Sequence, residues 1–155
     1  MIVLKFGGSS LQNASKIRRC ISIVKRERKR SPLVVVSAHG DMTDRLIDMA
    51  QEALAKSVQI EEFRVFHSVL ADSLRIDRQL VEPLMAKLET ILRGVNLVKE
   101  LTPKTKDHIM SFGERISAVI VAAAMTREGL PAVPVNAYQI GFVTDSNFGS
   151  ARPLP

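Results

Sequence analysis

The chain is 155 residues long, 46% hydrophobic and 25% charged, a balance that excludes a disordered polypeptide and suffices for one globular domain with its own core. Its sole cysteine, Cys20, excludes an internal disulfide framework and a cysteine-based zinc site. The formal charge of +6 is local: Lys16 to Arg30 hold eight Lys or Arg and one Glu, a balance of +7 that leaves −1 for the remainder.

The segment Ile2 to Ser10, IVLKFGGSS, reads as a buried parallel strand that delivers a turn. Ile2, Val3 and Leu4 form an unbroken apolar run suited to a strand covered on both faces, and Phe6 extends it. Gly7 and Gly8 leave room for an anion to approach the backbone amides, and Lys5 brings a cation to the same place. A strand, a lysine, a diglycine and a following helix suit phosphoryl transfer by positioning and charge neutralisation. Neither GxxxxGK[ST] nor GxGxxG is present, so neither common nucleotide fingerprint applies. A plain glycine turn with Lys5 reaching to water stays open beside the phosphate reading.

From about Asn13 the spacing predicts a helix with Ile17, Cys20, Ile21 and Val24 on one face and the basic residues opposite. That makes the cations a solvated face and Cys20 a core thiol. An anion-binding patch is the alternative. Leu33 to Ser37, LVVVS, predicts a second buried strand, and the loop Ala38 to Met42 leads to a helix opened by Thr43 and Asp44, with Leu46, Ile47, Ala50 and Leu54 on its apolar side. Strand, helix, strand, helix implies a parallel pair whose carboxyl ends carry both loops on one edge, where ligands gather in such sheets. Thr43 is either a helix cap or a ligand contact. His39 reads as a solvated loop histidine, with a general-base role as the alternative.

Residues 60 to 95 predict two packing helices, with Pro83 in the first turn of the second and His67 satisfied between helices. Thr102 caps a further helix that starts at Pro103. Ser111 to Glu114 has the S-x-x-E spacing of a capping box, so Glu114 either ties down a helix start or faces the ligand edge and receives a cationic group. Ala132 to Val135 predicts a third strand, and Phe142 to Thr144 a short fourth. No apolar run approaches transmembrane length, and the strand at Ile2 leaves no room for a signal peptide, so a cytoplasmic protein is expected.

Four blocks, KFGGSS at the start, VVVSAHGDMTDRL at 34 to 46, LTPKTKDHIMSFGERISA at 101 to 118 and GFVTDSNFGSARP at 141 to 153, resemble in the same order the N-terminal part of aspartate kinases, in the amino acid kinase family. The resemblance implies the N-terminal portion of a carbamate kinase-like α/β fold, a three-layer α/β/α sandwich around a mainly parallel sheet. It implies ATP with Mg2+ as cofactors and L-aspartate as the substrate, whose side-chain carboxylate is phosphorylated to 4-phospho-L-aspartate, the first step toward lysine, threonine and methionine. By position, Lys5, Phe6, Gly7, Gly8 and Ser9 match the phosphate motif, with Lys5 stabilising the transferred phosphoryl group. Thr43 matches a residue that contacts aspartate, and Glu114 the glutamate that holds its amino group. Asp145 and Arg152 lie in the last block without an assigned role, and no residue is assigned to a metal.

Two positions depart from the family pattern: His39, often methionine, and Asp41, usually small. The resemblance covers the acceptor-binding, phosphate-loop half. The glycine-rich nucleotide block, an arginine for the α-carboxylate and the ACT regulatory domains are expected beyond residue 155, so these 155 residues alone are expected to be inactive. A possible homo-oligomer is expected, with neither nucleic acid nor membrane as partner. The alternative functions are a noncatalytic interaction module of the same fold and a basic-surface binder acting through residues 16 to 30.

Overall fold

The computed structural model describes residues 1–154. Strand β1, Ile2–Phe6, pairs in parallel with β2, Pro32–Val36, in a register that sets Ile2 opposite Pro32 and Phe6 opposite Val36. Between them run a single turn of helix, α1, Gly8–Leu11, and the helix α2, Ala14–Glu27, followed by a 3₁₀ turn at Arg28–Arg30. After β2 come α3, Met42–Ala55, α4, Glu61–Leu74, α5, Glu82–Val98, and the long α6, Pro103–Arg127.

The helices form where local chemistry favours them. Asn13 caps α2 by accepting from the Lys16 amide at 3.0 Å, which satisfies one of the unpaired first-turn donors. Ile17, Cys20, Ile21 and Val24 are buried and all eight cations between Lys16 and Arg30 are exposed, as the period requires. Lys25 pairs with Glu128 and Arg30 with Glu27. Burial raises the Cys20 thiol above its ordinary range, consistent with a core thiol. Thr102 caps α6 by accepting from the Thr105 amide at 3.1 Å, and Pro83 lies in the first turn of α5, where its missing N–H costs nothing.

The core lies where α3, α5 and α6 pack together, with Leu46, Met49, Met85, Leu88, Leu92 and Ile116 almost fully buried. Helix α6 is long and apolar enough to cross a membrane by length and composition, which corrects the expectation that no segment reaches that length. Ile109, Phe112, Ile116 and Ile120 in it are 0% exposed, so its apolarity serves the interior of this domain.

Three sequence expectations about strands are corrected. Neither strand is covered on both faces. Burial alternates along each, with Val3, Leu33 and Val35 exposed, because the helices pack on one face of the pair. Residues 132–135 run without a sheet ladder, and Phe142 to Thr144 makes only an isolated antiparallel bridge from Thr144 to Pro153. Among the described residues the sheet therefore has two strands, and a β-preferring sequence without a paired neighbour does not become a strand.

Candidate functional site

The turn after β1 and the loop after β2 lie side by side because the strands are parallel and in register. Three hydrogen bonds join them in succession. The Ser37 amide donates to the Phe6 carbonyl at 3.1 Å, the Gly40 amide donates to the Gly8 carbonyl at 3.0 Å, and His39 Nδ1 lies 2.9 Å from the Leu11 carbonyl. A carbonyl can only accept, so Nδ1 carries the proton and donates. The contact is close enough to fix residue identity: a Cβ on Gly8 would stand 2.7 Å from the Gly40 carbonyl oxygen and 2.9 Å from that of Ala38.

The third block meets the same loop from the other side. A Cβ on Gly113 of α6 would stand 2.7 Å from the Ala38 Cβ, so α6 can press on the loop only because residue 113 has no side chain. Ala38 is thus enclosed between the diglycine turn and the helix that carries Glu114. Sequence reasoning did not single out Ala38 or Gly113. The available signal was one small residue in each of two blocks already flagged.

Lys5 is exposed, and its Nζ lies 3.8 Å from where a Cβ on Gly7 would stand. The ammonium therefore lies over the space that the glycine leaves open, a space of the kind a phosphate oxygen would occupy. Phe6 is half-buried and packs against the core. Ser9 is exposed, and its carbonyl accepts from Lys16 Nζ at 3.0 Å, with Gln12 Oε1 at 2.8 Å from the same amine.

Thr43 does not cap a helix. Asp41 holds the N-cap position of α3, without a side-chain hydrogen bond, and Thr43 falls half-buried within the first turn. Glu114 does not belong to a capping box either. Ser111 and Glu114 are both well inside α6, and Ser111 Oγ donates to the His108 carbonyl at 2.7 Å. The S-x-x-E spacing arises within a continuing helix, where no backbone donors are free to be capped. Glu114 is exposed and opens onto a groove of about 1160 Å³ between β2, α6 and residues 130–136, with Leu33, Val35, Arg115, Val133 and Tyr138 also in its walls. Burial, together with the charges of Arg115 and Lys87, holds the His108 imidazole in this groove below its ordinary range. Lys5, residues 7–9 and Thr43 are not in the lining of that groove. The three motif blocks meet at the Ala38 to Gly40 loop, and Lys5 and Thr43 do not line the groove onto which Glu114 opens.

His39 is 0% exposed, which corrects the expectation of a solvated loop histidine. Its ring centroid is 5.7 Å from that of His67 on α4. His67 bonds the Phe63 carbonyl of its own helix through Nδ1 at 2.8 Å, and neither Nε2 has a partner, so His67 is satisfied on one nitrogen only. Burial lowers both imidazoles to about 4. A fully enclosed imidazole does not reach an acceptor, which removes the general-base reading of His39. In the last block, Asp145 accepts from the amides of Asn147 and Arg152, each at 3.1 Å, and Asp107 of α6 accepts from the Gly149 amide at 2.7 Å. Asp145 thus shapes a turn fastened to α6.

This chain is 33% identical over 153 residues to Aspartokinase 1, chloroplastic, of Arabidopsis thaliana, covering 94% of this chain and 27% of the relative. It is 30% identical over 165 residues to Aspartokinase 3 of Bacillus subtilis (strain 168), covering 100% of this chain and 36% of the relative. The chain thus spans between 27% and 36% of the length of these relatives. The structure of E. coli aspartokinase III in complex with aspartate and ADP superposes with a TM-score of 0.76 at 22% identity, covering 99% of this chain and 34% of that one, which supports the expected α/β kinase fold. The amino acid kinase family matches residues 1–154, and over that whole length this chain belongs to it.

Proposed function

We propose that this sequence is the phosphate-loop and acceptor-binding part of an ATP-dependent aspartate kinase. The observation that carries the proposal is the crossing at Ala38 to Gly40, where the diglycine turn, the loop Ala38 to Met42 (the acceptor loop of this proposal) and α6 meet at distances that only glycine at positions 8 and 113 permits. Such a crossing holds a phosphoryl donor site against an acceptor site at fixed separation, which is the main demand of this chemistry. In the proposed reaction a side-chain carboxylate oxygen of L-aspartate forms a bond to the γ-phosphorus as the bond to the ADP oxygen breaks. The acceptor is already ionised, so no base is required, in keeping with the enclosure of His39.

Lys5 is assigned to the charge that develops on the transferred phosphoryl oxygens, because its ammonium lies over the open space at Gly7. Gly7, Gly8 and Ser9 bound that space, and Phe6 anchors the turn to the core. Glu114 is assigned to the ammonium group of aspartate and Thr43 to its polar contacts. Magnesium would enter with the nucleotide and neutralise phosphate charge; among the described residues no three His, Cys, Asp or Glu side chains converge, and none is assigned to it. We further propose a cytoplasmic setting, and that residues 1–155 alone lack turnover, since they span only 27% to 36% of the length of these relatives and nucleotide affinity needs a pocket that buries base and ribose.

The test is a coupled assay of aspartate-dependent ADP release and of hydroxamate formation from the acyl phosphate, made on the whole protein that carries this sequence. Release of ADP that depends on glutamate or carbamate in place of aspartate overturns the acceptor assignment. Absence of turnover with any acceptor favours the interaction module.

A further inference from the structure

We propose that His39 is a positioning residue that sets the separation between the acceptor loop and the phosphate loop, and through it the alignment of the two substrates. The inference rests on the kinase reading above and adds to it a residue that touches neither substrate. The His39 Nδ1 contact to the Leu11 carbonyl, 2.9 Å, is the one side-chain hydrogen bond among the described residues that crosses between the two loops. The remaining ties there are two backbone bonds, Ser37 to Phe6 at the strand ends and Gly40 to Gly8 between two glycines. Gly40 adopts φ +56°, a left-handed conformation that glycine enters at little cost and leaves as readily. Two glycine backbones in contact have no side chains to hold them in register, and His39 supplies the missing constraint.

Both ends of that constraint are fixed. The His39 carbonyl accepts from the Met42 amide at 3.0 Å, which joins it to the first turn of α3 and so to Thr43. Its ring is enclosed beside His67, itself bonded to the Phe63 carbonyl of α4. Leu11, the acceptor of the His39 bond, is 0% exposed and part of the core. A displacement of the acceptor loop therefore has to break a buried hydrogen bond and open a packed ring contact. Misplacement on the order of 1 Å between reacting groups costs up to about a hundredfold in rate, so a constraint of this kind acts on turnover.

The discriminating variants are His39→Asn, whose amide nitrogen stands near the place of Nδ1 and can still donate to Leu11, and His39→Gln, whose amide nitrogen stands near the place of Nε2 and cannot. On the whole protein, His39→Gln is expected to lower kcat and raise KM for aspartate by about tenfold or more, with KM for ATP unchanged and His39→Asn within about threefold of wild type. Amide hydrogen exchange supplies a readout independent of activity. In His39→Gln the Gly40 amide is expected to exchange at least about tenfold faster while that of Ile116 in the core is unchanged, and His39→Asn restores protection. Equal losses in the two variants, or unchanged exchange at Gly40, overturn the proposal. So does loss of protection at Ile116 in both, which would make His39 a packing residue. If the wild-type protein makes no aspartyl phosphate, the kinase reading fails by itself, and exchange at Gly40 still decides whether His39 holds the two loops together.

Discussion

The backbone N–H of Gly40 donates to the carbonyl oxygen of Gly8 at 3.0 Å, and a Cβ on Gly8 would stand 2.7 Å from the Gly40 oxygen. Both atoms in that clash are tied into backbone, so neither can swing away. Gly8→Ala is therefore expected to force the loops apart at a cost of about 1–3 kcal/mol. Its denaturation midpoint should fall, and the Gly40 amide should lose protection from exchange before the core does.

The contact between Gly113 and Ala38 predicts a compensating pair. Gly113→Ala places two methyl groups 2.7 Å apart and is expected to destabilise by about 1–3 kcal/mol. Ala38→Gly removes one of those methyls, so the double variant should recover part of the loss, with a coupling energy on the order of 1 kcal/mol. Additive losses in a double-mutant cycle would count against the packing of α6 on the Ala38 loop.

Lys5 is exposed at the end of β1 and packs little. Lys5→Ala is expected to leave the melting temperature nearly unchanged and to lower turnover of the whole protein by orders of magnitude, since its charge counts most as phosphoryl charge develops. Near-normal turnover in a coupled assay would end its assigned role.

Glu114 is exposed in the middle of α6, so Glu114→Gln removes a charge without touching a cap or the core. Stability should be unaffected. If its carboxylate receives the ammonium group of aspartate, KM for aspartate should rise by about tenfold, equivalent to about 1.4 kcal/mol. An unchanged KM would return Glu114 to a solvated helix position.

The two buried histidines give an acid dependence of known sign. His39 and His67 stay neutral in the folded state down to about 4, whereas in the unfolded chain they take up protons near 6.5. Between those values the unfolded state binds more protons, so stability is full above about pH 6.5 and falls as pH drops toward 4. The loss is on the order of 2 kcal/mol per histidine by pH 5. Urea titrations from pH 7 to 4.5 should show it, and His39→Asn should reduce the slope while His67 and His108 keep theirs.

Much of the local structure was legible in one dimension. Ile17, Cys20, Ile21 and Val24 recur at helical spacing, and that stripe is buried. Thr102 followed by proline announces the start of α6, and the cap is made. The diglycine after a β-preferring run announced the turn, because only backbone freedom and lack of bulk explain two glycines there. Spacing failed where it has two meanings. S-x-x-E marks a helix start when the preceding backbone donors are free, and Ser111 follows eight helical residues that have already consumed them. The apolar runs at Leu33 and Ala132 show a preference for extended, covered backbone, and neither burial nor pairing is a property of the run itself.

The sequence by itself determined the helices, the turn and the family, since periodicity, capping and motif spacing act over a few residues and need no distant partner. Only the tertiary structure decided that His39 is enclosed, that Ala38 is gripped between residues 8 and 113, and that Leu33 and Val35 face outward. The reason is that burial and close approach are relations between segments far apart in the chain. Gly8, Ala38 and Gly113 meet because the parallel register of β1 and β2 sets two loops side by side and α6 returns to press against them.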